Sequence, residues 1–109
     1  METKIINENK KIVNEDIINA LKSVFDPEID FSVYDIGLIY EVRVYEKEII
    51  IVMTLTTINC PEAQTLPESV KNAVQEINPD LNVIVELTFE PEWNVENMSD
   101  EVKLRLGLL

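Results

Sequence analysis

The chain has 109 residues, of which 46% are hydrophobic and 28% charged, with a formal net charge of −12. That is enough apolar material for one packed domain, and a like-sign field that repels phosphate backbones, so nucleic acid is not an expected partner. With two glycines, no histidine and one cysteine, the chain lacks the material for Gly-rich nucleotide loops, for Ser-His or Cys-His pairs and for an internal disulfide.

The opening residues, Met1-Glu2-Thr3-Lys4, lack the basic-then-apolar layout of a signal peptide, and no apolar run reaches membrane-spanning length. A lone thiol suits a reducing compartment, so a cytoplasmic protein with no membrane partner is expected. Residues 1–13 read as a flexible N-terminal arm or an edge strand around Ile5-Ile6, with a single domain over 14–109. Asn14 reads as a helix N-cap, with Glu15 and Asp16 favoured in the first turn by the helix dipole. Val13 and Ile18 hold the two positions of a hydrophobic staple. Ile17, Ile18, Leu21, Val24 and Phe25 make the apolar stripe. The helix should end by Asp26, because the residue before Pro27 is pushed out of the helical region.

Asp26-Pro27-Glu28-Ile29-Asp30 reads as one turn and Asp35-Ile36-Gly37 as another, Gly37 supplying a positive φ. From Leu38 the pattern alternates: Leu38, Tyr40, Val42 and Val44 on one face, Ile39, Glu41, Arg43 and Tyr45 on the other. Glu46-Lys47 would turn a hairpin into a second strand, Glu48 to Thr56, whose two-sided apolar run marks it as central. A helix from about Leu66 follows, with Pro67 near its start and Val70, Ala73, Val74 and Ile77 as its stripe. A third strand runs from Leu81 to Phe89, closed by Pro91-Glu92-Trp93. Ser99 caps a last short helix that Gly107 stops.

The order is helix, strand, strand, helix, strand, helix. A strand–helix–strand crossover sets the third strand parallel to the second. The expected fold is an α+β two-layer domain: a small mixed three-stranded sheet with helices mainly on one face.

Cys60 is the leading chemical candidate. It lies between a strand and a helix, where helix-start amides favour a thiolate, and it stands outside any apolar stripe. It is read as a functional thiol, partly exposed and reactive, rather than as a small buried residue. One thiolate cannot complete a structural zinc site or hold an iron–sulfur cluster by itself. A second subunit, as in a homodimer, a partner protein or nearby carboxylates would complete the set. Asp26 and Glu28 flank a rigid proline; on spacing alone they are a solvated turn. Thr54 and Thr56 share a strand face, and Thr57 could aim a hydroxyl at the loop. Between Asp26 and Val102, seventeen acidic residues stand against three basic ones. Such a surface serves solubility or attracts basic partners and cations.

Taken together, Asp26-Pro27-Glu28-Ile29, Tyr34-Asp35-Ile36-Gly37-Leu38-Ile39-Tyr40, Thr54-Leu55-Thr56-Thr57, Cys60-Pro61 and Pro91-Glu92-Trp93 resemble the SufT/PaaD-type iron–sulfur cluster assembly factors. Met98-Ser99-Asp100-Glu101 with Leu106-Gly107 is most similar to the SufT branch. The resemblance runs from about Asn14 to Leu109. It implies a non-enzymatic role in assembling or delivering iron–sulfur clusters, with iron or a cluster held transiently and with carrier or client proteins as partners. It assigns the site to Cys60, Asp26, Glu28, Thr56 and Thr57, with Cys60 the metal ligand. Where the family often has glycine before its cysteine, this chain has Asn59, which also tolerates a left-handed backbone. A carboxylate beside a thiolate raises the thiol pKa unless a cation lies between them, so such a site suits a cation or iron better than an activated nucleophile. Two other readings stand beside this one: an acidic interaction module in which Cys60 is structural, and a cysteine-based thiol enzyme, against which the absence of histidine counts.

Overall fold

The computed structural model describes residues 3–26, 29–56 and 65–108. The sheet has four strands rather than three, because the N-terminal segment supplies one. β1 (Lys4–Asn7) pairs in parallel with β4 (Ile39–Val44), β4 pairs antiparallel with β5 (Glu48–Met53), and β5 pairs in parallel with β6 (Asn82–Leu87), giving the order β1-β4-β5-β6. The stretch expected as a loose arm or an edge strand is thus an edge strand in this sheet, held further by Thr3 Oγ1, which donates to the Ile39 carbonyl at 2.7 Å. A second ribbon, absent from the expected order, pairs β2 (Phe25–Asp26) with β3 (Phe31–Ser32). The mixed α+β character and the parallel setting of the last strand are as expected.

One face of the main sheet carries Val42, Val44, Ile49, Ile51, Met53 and Val83, all buried. On it lie α1 (Asn14–Lys22), through Ile17, Ala20 and Leu21, and α3 (Thr65–Ile77), through Leu66, Val70 and Val74. These residues recur at helical spacing in each helix and meet the period-two face of the strands, which is why the helices settle there. The opposite face presents Ile6, Ile50, Val52 and Ile84, each partly exposed. There Arg43 Nε lies 3.3 Å from a Glu41 carboxylate oxygen but makes no hydrogen bond. The distance permits attraction; the angle does not permit a bond.

Several local expectations are corrected. The alternation in β4 is broken by a bulge: Ile39 opposes Met53 and Val42 opposes Ile51, so three steps on one strand match two on the other. Ile39 therefore joins the face of Val42, and Tyr40 is buried as well. Asn14 opens α1 but does not cap it; its Oδ1 accepts from Asn7 Nδ2 at 2.7 Å, tying the helix start to the end of β1. Val13 is 57% exposed, so the staple is not made. Phe25 is exposed although Asp26 beside it is buried, because the chain has left helical periodicity for strand alternation. Asp35-Ile36-Gly37 belongs to α2 (Val33–Ile36), a single helical turn that Gly37 ends at φ +85°. Ile77, expected in the α3 stripe, is 45% exposed. At the C-terminus, α4 (Asp100–Arg105) starts at Ser99, whose Oγ accepts from the Val102 N–H, and closes through Gly107 at φ +78°. The Leu108 N–H then reaches the Lys103 carbonyl and the Gly107 N–H the Leu104 carbonyl, the paired bonds of a left-handed helix stop.

Candidate functional site at one end of the sheet

Strand directions place four chain segments at one end of the main sheet. There β1 and β4 begin and β5 and β6 finish, since Lys4 pairs Glu41, Ile39 pairs Met53, and Met53 pairs Leu87. Helix α1 starts at the far end, beside Asn7, and runs back to this one. Its last residue, Lys22, sets its ammonium 5.6 Å from the centre of the Tyr34 ring on α2, a favourable cation–ring contact.

Three backbone hydrogen bonds then step across this end. The Val33 N–H donates to the Val24 carbonyl at 2.8 Å, the Leu38 N–H to the Val33 carbonyl at 3.0 Å, and the Thr54 N–H to the Leu38 carbonyl at 2.8 Å. This relay couples the segment that leads into the acidic turn to the segment that leads toward Cys60. Asp26 follows Val24 by two positions and Thr56 follows Thr54 by two. The stretch 57–64 departs from Thr56 and returns at Thr65, the start of α3, and α3 pairs with α1 on the core face.

Of the five site residues expected from the sequence, Asp26 and Thr56 are described; Glu28, Thr57 and Cys60 lie outside the described residues, as do Pro27, Asn59 and Pro61. Asp26 is 2% exposed, with its backbone carbonyl accepting from the Asp30 N–H at 2.7 Å. It is therefore not the solvated turn residue that its spacing alone suggests. Asp30 completes the turn in a left-handed conformation at φ +63°, which aspartate tolerates better than most residues. Thr56 is partly exposed on a bend, whereas Thr54 is fully buried. Among the described residues no three His, Cys, Asp or Glu side chains gather closely enough to hold a metal ion.

Sequence reasoning missed the polar scaffold behind this end. Tyr40 Oη donates to the Pro91 carbonyl at 2.8 Å and accepts from Asn97 Nδ2 at 3.5 Å. Burial pushes the Tyr40 phenol up from its usual value, and side-chain hydrogen bonds from Asn97 and Thr54 partly offset that. Trp93 Nε1 donates to the Ile36 carbonyl at 3.0 Å, so its ring is anchored at both its apolar body and its polar edge. Ser32 Oγ donates to Asp35 Oδ2 at 2.8 Å and accepts from the Asp35 N–H at 3.1 Å. The Ser32-x-x-Asp35 spacing of a capped helix start was readable, and so was a packing role for the large ring of Trp93 near the Pro91 bend; the hydrogen bonds of Tyr40 and Trp93 were not.

The sequence profile of the family described as iron–sulfur cluster assembly protein matches residues 14–87. A Porphyromonas gingivalis protein named Fe-S protein maturation auxiliary factor is 47% identical over 96 residues, covering 87% of this chain and 91% of its own. The Staphylococcus aureus Fe-S protein maturation auxiliary factor SufT is 33% identical over 86 residues, covering 78% of this chain and 98% of its own. Among solved structures, a domain of unknown function from Bacillus anthracis superposes with a TM-score of 0.80 at 31% identity, covering 87% of this chain and 92% of that one.

Proposed function

The chain belongs to the iron–sulfur cluster assembly protein family, and from that premise we propose that it is a maturation factor that helps assemble clusters or deliver them to client proteins. In this reading the cluster or iron is cargo, not a resident cofactor. Cys60 ligates it transiently, and the carboxylates of Asp26 and Glu28 with the hydroxyls of Thr56 and Thr57 complete the surroundings. No turnover chemistry is assigned to the chain; its partners are cluster carriers and clients, and it works in the cytoplasm, where a lone thiol stays reduced.

The observation that carries the site is the backbone relay Val24–Val33–Leu38–Thr54, which supports an acidic turn and a cysteine stretch arising at one end of one sheet. A single thiolate with carboxylates is a donor set suited to release rather than storage, since stable cluster and zinc sites take four protein ligands. The names of the relatives support the same role.

The test has two arms. In cells lacking the protein, Cys60→Ala should fail to restore the activity of iron–sulfur enzymes that the unaltered chain restores. After anaerobic reconstitution, Asp26→Asn with Glu28→Gln should retain less iron while the far-ultraviolet circular dichroism stays unchanged. Full restoration by Cys60→Ala would sink the ligand role and leave an acidic interaction module. Turnover of a thiol substrate by the purified chain would move it to the enzymes.

A further inference from the structure

β6 lies at one edge of the sheet, bonded to β5 and to no other described strand. Its even-numbered residues turn their backbone groups inward: the Asn82 N–H reaches the Lys47 carbonyl at 3.0 Å and the Thr88 N–H the Met53 carbonyl at 2.8 Å. Strand geometry then sends the odd-numbered groups outward. Gln75 on α3 satisfies the first part of that edge. Its Oε1 accepts from the Val83 N–H at 3.4 Å and its Nε2 donates to the Leu81 carbonyl at 2.6 Å. Past Gln75 come the Val83 carbonyl, both backbone groups of Val85 and the Leu87 N–H, none of which bonds to a described residue.

Open edges are ordinarily blunted by lysine, proline or a bulge. β6 has no lysine, proline or bulge, its one charged residue is Glu86, and its register with β5 is unbroken from Asn82 to Leu87. Leu87 is 40% exposed beside this edge. A groove of about 430 Å³ runs between the strand and the Pro67, Glu68, Lys71 and Asn72 side of α3. The surrounding chain is predominantly acidic: from Pro67 to Val102 there are nine acidic residues against one basic, Lys71 on the helical wall of the groove.

We propose that the outward edge of β6, unpaired among the described strands, receives an extended segment of a partner protein as a fifth strand, in which apolar residues alternate with lysine or arginine. Main-chain bonds to Val83, Val85 and Leu87 supply the pairing, the groove takes the apolar side chains, and the acidic surroundings select the basic ones. A second copy of the chain fits worse, because it brings a charge of −12 against −12. The proposal goes beyond the maturation role and rests on the edge alone.

The experiment uses the full chain and a synthetic ten-residue peptide of alternating valine and lysine, read by amide hydrogen exchange in NMR. Saturating peptide should slow exchange at the Val85 and Leu87 N–H groups about tenfold or more. The same peptide N-methylated at alternate residues keeps its charge but loses its donors, and should bind about tenfold more weakly. Val85→Pro removes an outward N–H at a position where an edge strand tolerates proline, and should weaken binding similarly. The N-methylated control uses the unaltered chain, so the proposal stays testable if that variant does not fold. Equal binding of the methylated peptide shows mere charge attraction and overturns it. So do absence of binding, protection elsewhere in the chain, or sedimentation that shows copies of the chain pairing through β6.

Discussion

Tyr40 is buried at its ring and bonded at its tip to the Pro91 carbonyl and the Asn97 amide. Tyr40→Phe keeps the ring and removes the part-buried hydrogen bond to the Pro91 carbonyl, so it should cost about 1 kcal/mol at neutral pH in urea unfolding. The pH dependence has a definite sign. The folded-state pKa is raised above 10.0, chiefly by burial, so the unfolded chain releases this proton first. Stability from this group is fully present below 10.0 and is lost as pH rises through the folded pKa. Tyr40→Phe should flatten that alkaline loss, and an unchanged slope would refute the assignment. Trp93 makes a parallel case. Its ring is partly buried against the core and its N–H bonds to Ile36, so Trp93→Ala should cost about 3 kcal/mol. A cost below about 0.5 kcal/mol would show a dispensable surface ring.

At the level of elements, the two glycines make a matched pair. Both hold a left-handed backbone, at φ +85° for Gly37 and +78° for Gly107. A Cβ at Gly37 would overlap the Asn97 backbone carbonyl, whereas one at Gly107 would meet nothing within 4 Å. Gly107→Ala should therefore cost only the conformational penalty, about 1 kcal/mol. Gly37→Ala should cost clearly more, because Asn97 must also move. Equal losses in denaturant midpoints would show that the contact carries no weight.

The same scale shows what was legible. The α3 pattern, the β4–β5 hairpin, the parallel β6 and the Ser99 and Gly107 ends of α4 follow from periodicity and capping chemistry, which are local. The four-residue β1 is too short to establish a period, and its pairing with β4 is set by tertiary contact. The bulge at Tyr40 leaves the residue pattern apparently alternating while changing which faces are buried. For the site, the sequence marked Asp26 and Thr56 by resemblance. The burial of Asp26 and the relay to Thr54 join residues from separate elements, and no spacing along the chain encodes them.

For the whole molecule, the pairing pattern carries a consequence for the order of assembly. The β4–β5 hairpin closes locally, with the Tyr45 N–H on the Glu48 carbonyl. The flanking pairs join Lys4 to Glu41 and Glu48 to Asn82, distant in sequence. Long loops cost entropy before their contacts repay it, so the hairpin should nucleate and the flanks should dock later. Ile51→Ala should slow folding, whereas Ile5→Ala and Val83→Ala should chiefly speed unfolding. The reverse pattern in stopped-flow kinetics would reject this order. The Leu38–Thr54 link of the relay closes with that hairpin, and the Val24–Val33 link closes with the equally local β2–β3 ribbon. A partly unfolded chain that has released β1 and β6 thus still holds together the segments that end at Asp26 and at Thr56. The end of the sheet that bears Asp26 and Thr56 is therefore built early, from local links, and its geometry does not wait on the edge strands.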